Sequence, residues 1–133
     1  MIIVVRGIPA PQGSKRHVGG GRMIESSRAV GPWREAVRAE TQHAMVASGE
    51  DAFLGPVAVK ITFLLPRPKS TPRRVTWPAK RPDLDKLARS VLDGLTMGGA
   101  WEDDAQVIEL WCRKRFAPEG TAPGCKIVIQ EEA

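Results

Sequence analysis

The stretch DLDKLARSVLDGL, residues 83–95, constrains the chain more than any other. Leu84, Leu87, Ala88, Val91, Leu92 and Leu95 recur at the i, i+3, i+4, i+7 spacing of a helix with an apolar face to bury. Asp83 and Asp85 fall in its first turn, where carboxylates suit the positive end of the helix dipole. Gly98 and Gly99 mark the turn that follows.

The remaining elements fit around this helix. IIVVR at 2–6 is β-branched and reads as a buried strand. Residues 7–22, rich in Gly, Pro and basic side chains, read as a loop or hairpin. Pro32 and Trp33 open a second helix over about 32–47, with Trp33, Val37, Thr41 and Ala44 at helical spacing and Gly49 at its end. PVAVKITFLL at 56–65 predicts another strand, Gln106 to Phe116 a third, and Lys126 to Gln130 a last one. The sum is an α+β single domain over 1–133, with a mixed β-sheet of about four or more strands and two principal helices.

Between the second strand and the clearest helix lies PRPKSTPRRVTWPAKRP, residues 66–82. Its five prolines exclude regular structure, and its six basic residues stand without a single acid. The whole chain carries a net charge of +5 and a pI near 9.7. That balance points to a polyanionic partner, a nucleic acid or an anionic membrane surface. No stretch reaches the ~20 apolar residues of a membrane span, and the apolar start lacks a basic leader, so a cytoplasmic location is expected. Cys112 and Cys125 are the only cysteines and lie in no metal-binding pattern, which reads as two buried thiols in a reducing compartment rather than a zinc site or a disulfide.

Against this basic background, Asp83, Asp85, Asp103 and Asp104 fall within 22 residues. One pair starts a helix and the other precedes a strand, and the short connection between them gives a route to bringing the pairs together. Clustered carboxylates call for a hard cation, Mg²⁺ or Mn²⁺. A carboxylate-held metal supplies an activated water and relieves charge on phosphorus oxygens, the two needs of phosphodiester hydrolysis. The alternative is structural: Asp83 caps the helix, Asp85 complements its dipole, and Asp103 and Asp104 line a solvated turn.

The segment RPDLDKLARSVLDGLTMGGAWEDDAQVIEL, residues 81–110, resembles the signature of the RusA family of Holliday junction resolvases. The shared features are an Asp-x-Asp helix start, a further Asp near the helix end, and Asp-Asp-x-Gln-Val some twenty residues on. GIPAPQGSKR at 7–16 resembles the N-terminal segment of that family, and the Trp33 helix falls where its first helix lies. The resemblance implies a Mg²⁺-dependent (Mn²⁺ possible) endodeoxyribonuclease that resolves four-way junctions by paired phosphodiester hydrolysis as a homodimer, in a bacterial or phage setting, without an organic cofactor. It places Asp83, Asp85 and Asp104 as the catalytic, metal-holding acids, with Asp103 assisting.

Two positions depart from the family pattern. Lys86 stands where the family has Asn, and Arg89 where it has a functional Lys. Arg keeps a positive charge for a developing phosphorane but is a poor general base. Either Lys86 takes that role, or Arg89 serves only to neutralise Asp85, four residues away on the same face. Asp93 extends this stripe and reads as a structural partner of Arg89. Lys15, Arg16, Arg73, Arg74, Lys80 and Arg81 are candidate DNA contacts; the alternative for each is a solvated surface charge. Trp77 reads either as a base-stacking ring or as the cap of a hydrophobic edge. Other readings of the whole chain are a less selective nuclease of branched or single-stranded DNA, and a non-catalytic DNA-binding protein of the same fold.

Overall fold

The computed structural model describes residues 1–13, 15–17, 23–25 and 28–133, with the backbone alone described at 15–17 and 23–25. In chain order the elements are β1 (Ile2–Arg6), β2 (Lys15–His17), β3 (Met23–Glu25), α1 (Val30–Ser48), β4 (Val57–Leu65), α2 (Leu84–Met97), a 3-10 turn (Asp104–Gln106), β5 (Val107–Phe116) and β6 (Gly124–Glu131). The α+β architecture expected from the sequence is the one observed.

The main sheet has four strands in the order β1-β6-β4-β5. β6 runs antiparallel to both β1 and β4, whereas β5 is parallel to β4. Parallel neighbours need a long crossover, and here the proline-rich segment and α2 provide it. The short β2 and β3 pair antiparallel, while residues 18–22 between them lie outside the described residues.

Alternation along the strands decides the layering. Val57, Val59, Ile61, Phe63 and Leu65 of β4 are buried, as are Ile3 and Val5 of β1 and Ile127 and Ile129 of β6. They form one core with Trp33 and Val37 of α1 and with Leu87, Val91 and Leu95 of α2. The opposite face keeps Ile2, Val4, Lys60 and Lys126 exposed, so both helices lie on one side of the sheet. Trp111 of β5, a sheet edge, has Lys60 of β4 over its ring at 4.6 Å and Arg113 over it at 5.5 Å.

The helices differ in small ways from the periodicity. α1 begins two residues earlier than Pro32, with no side-chain cap at Ala29, and ends at Gly49 in the left-handed region (φ 67°). α2 runs on to Met97, because the Gly-x-x-x-Gly at 94 and 98 packs against α1. A Cβ on Gly94 would stand 2.7 Å from Val37 Cβ, and one on Gly98 would stand 2.6 Å from Thr41 Cβ. No helix among the described residues is long and apolar enough to cross a membrane.

Candidate active site

α2 sets the stage for the acidic residues. Its first turn is entered at Asp83, whose backbone is extended (φ −71°, ψ 138°) and whose side chain makes no capping hydrogen bond. The Asp83 carboxylate instead lies 3.6 Å from Lys86 Nζ, one turn along. Asp85 is exposed on the same first turn. The capping role weighed for Asp83 is therefore not the one it takes, and Lys86 is engaged by a carboxylate.

The second acidic pair has a different local logic. Asp103 accepts a 2.9 Å hydrogen bond from the Ala105 amide and closes a capping box with Gln106. Gln106 Nε2 in turn donates to the carbonyls of Phe53 and Gly55 at 2.8 and 3.0 Å. The Asp-Asp-x-Gln sequence thus locks the entry to β5 and leaves Asp104 exposed on the first turn.

The two pairs occupy different segments. α2 has 14 residues, a rise of about 20 Å, with Asp83 and Asp85 at its start and the 3-10 turn reached only after its end. The chain does turn back there, since Ala100 N–H donates to the Leu95 carbonyl and Trp101 Nε1 to Thr96 Oγ1. As the side chains stand, the described residues include no group of three or more carboxylate, His or Cys side chains placed to hold one ion. The convergence of four acids expected from the short connection is absent from this arrangement, because helix length separates what sequence spacing brings near. The donor type still fits Mg²⁺: all four are hard oxygen ligands, and all four are exposed.

The stripe expected along α2 is rearranged as well. Among the described residues the ion pairs are Arg38–Glu35 and Lys86–Asp83, so Arg89 pairs with neither Asp85 nor Asp93. The reason is the N-terminal loop, which lies across this face of the helix. Gln12 N–H donates to the Lys86 carbonyl at 3.0 Å, and Ser90 Oγ donates to the Ala10 carbonyl at 2.8 Å. Asp93 accepts from Gln12 Nε2, and Arg34 of α1 donates to Gln12 Oε1 at 2.9 Å. Arg89 reaches toward Gly13, where a Cβ would meet its guanidinium at 3.1 Å. Gln12, Arg34 and Ser90 carry no local signal of this role; their partners are 81, 22 and 80 residues distant.

The candidate DNA contacts divide by location. Lys15 and Arg16 lie on β2, where the backbone alone is described. Arg73, Arg74, Lys80 and Arg81 are exposed on the 66–82 segment. That segment is irregular, as expected, yet firmly held. Lys114 Nζ of β5 donates to the carbonyls of Lys80 and Pro82 at 2.7 and 2.8 Å. Arg67 donates to Pro72 and Val75 carbonyls at 2.7 and 2.9 Å and lies over the Phe116 ring. Between segment and sheet remains a cavity of about 400 Å³ whose lining includes Pro82, the residue before Asp83. Trp77 lines it, half exposed, with Arg113 over its ring at 5.5 Å.

Burial raises the Cys112 thiol to about 11 and pushes the more deeply buried Cys125 thiol higher still. Both cysteines are free; Cys125 is buried as expected, whereas Cys112 on β5 is only half-buried.

A sequence model of the endodeoxyribonuclease RusA family matches residues 6–130, nearly the whole chain. No curated protein matches the sequence.

Proposed function

Since this chain belongs to the endodeoxyribonuclease RusA family, we propose that it resolves four-way DNA junctions by Mg²⁺-dependent hydrolysis of paired phosphodiesters. The observation that carries this reading is the placement of exposed Asp83 and Asp85 on the first turn of α2, immediately after a segment with six cations and no acid. A phosphate drawn to that segment arrives beside carboxylates, which repel it unless a cation lies between.

Asp83 and Asp85 would hold the ion at the start of α2, while Asp103 fixes the turn that presents Asp104 beyond the other end of that helix. A bound Mg²⁺ would supply charge neutralisation at the phosphate and a water acidic enough to ionise. Hydrolysis joins the water oxygen to phosphorus and breaks the P–O3′ bond. The departing oxygen takes a proton, leaving a 3′-hydroxyl and a 5′-phosphate that a ligase can rejoin. Arg89 contributes positive charge toward the phosphoryl oxygens rather than proton abstraction, because a guanidinium stays protonated. Lys15, Arg16, Arg73, Arg74, Lys80 and Arg81 would hold the DNA backbone.

A homodimer suits this substrate. A four-way junction is nearly two-fold symmetric, and a two-fold dimer offers one site to each of two strands of like polarity.

The test is cleavage of a labelled four-way junction in Mg²⁺, beside a linear duplex, an EDTA control and Asp85→Asn. Symmetric paired cuts confined to the junction, and lost with EDTA and in the variant, are expected. Tight binding without cleavage in Mg²⁺ or Mn²⁺ would instead establish a non-catalytic junction-binding protein; equal cutting of linear DNA would establish a less selective nuclease.

A further inference from the structure

We propose that the cavity between the 66–82 segment and the sheet receives a single unstacked nucleobase of the cleaved strand, next to the scissile phosphate. This inference rests on the nuclease reading above and deepens it, since it names the part of the protein that reads the DNA at the cut.

The volume of about 400 Å³ lies at the small end of the range for sites that enclose organic ligands. All five prolines of the segment, Pro66, Pro68, Pro72, Pro78 and Pro82, line it. Proline walls have fixed φ, so the cavity is formed in advance and loses little entropy on filling. The two cation-anchored points, at Arg67 and Lys114, hold these walls to each other and to β5.

The chemistry of the lining favours a heteroaromatic ring flanked by negative charge. Trp77, with Arg113 over its ring at 5.5 Å, lines the cavity and offers an aromatic ring of the kind on which any base can stack. Ser70 and Thr71 supply hydroxyls that donate to or accept from a base edge. Lys80 and Arg81 form an exposed rim for the phosphates on either side. A purely apolar peptide would account for the prolines but not for six cations unopposed by any acid.

Position adds the functional link. Pro82, which lines the cavity, and Asp83 are consecutive residues, their Cα atoms ~3.8 Å apart. A base lodged there would belong to a nucleotide close to the phosphodiester that water hydrolyses beside Asp83 and Asp85. A stacked, paired base cannot enter, and extracting one costs least where stacking is already broken, as at a branch point. The cavity therefore couples junction recognition to base preference at the cut.

The test uses four-way junctions with 2-aminopurine placed singly around the branch point, bound in EDTA so that no cleavage intervenes. Wild-type protein is expected to change the fluorescence at one position only, and Trp77→Ala to abolish that change while weakening junction binding about 10-fold. An abasic site at that position should weaken wild-type binding but leave Trp77→Ala unaffected. Thr71→Val, which keeps the fold and the stacking ring, should alter base preference at the cut. Circular dichroism checks that Trp77→Ala is folded. A fluorescence change at no position, or penalties from the abasic site and Trp77→Ala that simply add, would overturn the proposal. So would a Trp77→Ala protein that loses self-association in sedimentation yet keeps the fluorescence change, which would make the cavity a contact between copies. Because the signal is read without metal, failure of cleavage with an intact signal counts against the nuclease reading alone, and an absent signal with intact cleavage counts against the cavity alone.

Discussion

The Ser90 hydroxyl donates a 2.8 Å hydrogen bond to the carbonyl of Ala10, and both residues are buried. One turn further on, Asp93 accepts from Gln12. The helix that carries Asp83 and Asp85 is thus fastened to the loop that leads into the β2–β3 pair. Ser90→Ala leaves the Ala10 carbonyl without this donor and should cost about 1–3 kcal/mol. Asp93→Ala should cost a similar amount by stranding the Gln12 amide, and Asp93→Asn less. Urea denaturation at unchanged slope would register each loss.

Gly94 and Gly98 let α2 approach α1 more closely than any side chain would permit. Alanine is the better helix former by about 1 kcal/mol, but a Cβ at 94 would press to 2.7 Å of Val37 Cβ and 3.1 Å of the Arg34 carbonyl. Overpacking of this kind costs about 1–3 kcal/mol, so Gly94→Ala should destabilise. Gly31, also helical, faces nothing within 4 Å; Gly31→Ala should be neutral or stabilising by up to about 1 kcal/mol. A matched pair of thermal melts distinguishes the two sites.

If Arg89 acts on the reaction through charge, Arg89→Lys should keep junction cleavage within about 10-fold, and Arg89→Ala should lower it about 10²–10³-fold. Single-turnover rates on a saturating junction separate this loss from weaker binding. Equal rates for all three proteins would assign Arg89 to packing against the loop at Gly13.

The cysteines give a pH signature. Burial raises Cys112 to about 11 and Cys125 further in the same direction, so the folded chain keeps its thiol protons longer than the unfolded chain. Stability from this source is complete below the ordinary thiol value of ~8.5 and is lost as pH climbs toward the folded values. Chemical denaturation should show stability declining from about pH 8.5 upward, and Cys125→Ala should lessen the decline. Cys112, partly accessible, should react with a thiol reagent before Cys125 at any pH.

Hydrophobic period determined much of this molecule without reference to its fold. Alternation in β4 and the 3.6-residue repeat of α2 are properties of consecutive residues, so the identity and facing of these elements were legible. The Asp-x-Asp and Asp-Asp-x-Gln pairs were legible for the same reason, each being short and local. Tertiary structure decided what spacing along the chain cannot express. Sequence proximity implied that Asp85 and Asp104 converge, whereas a helix about 20 Å long intervenes. An i, i+4 relation implied an Arg89 pair with Asp85 or Asp93, but the incoming loop claimed that face through Gln12, with Arg34 beyond it. A side chain takes its partner from the surface that packs against it, and that surface here comes from residues some eighty positions away. The same holds for the proline-rich segment: its composition excluded helix and strand, and only its anchoring by Lys114 on β5 made it the wall of a cavity.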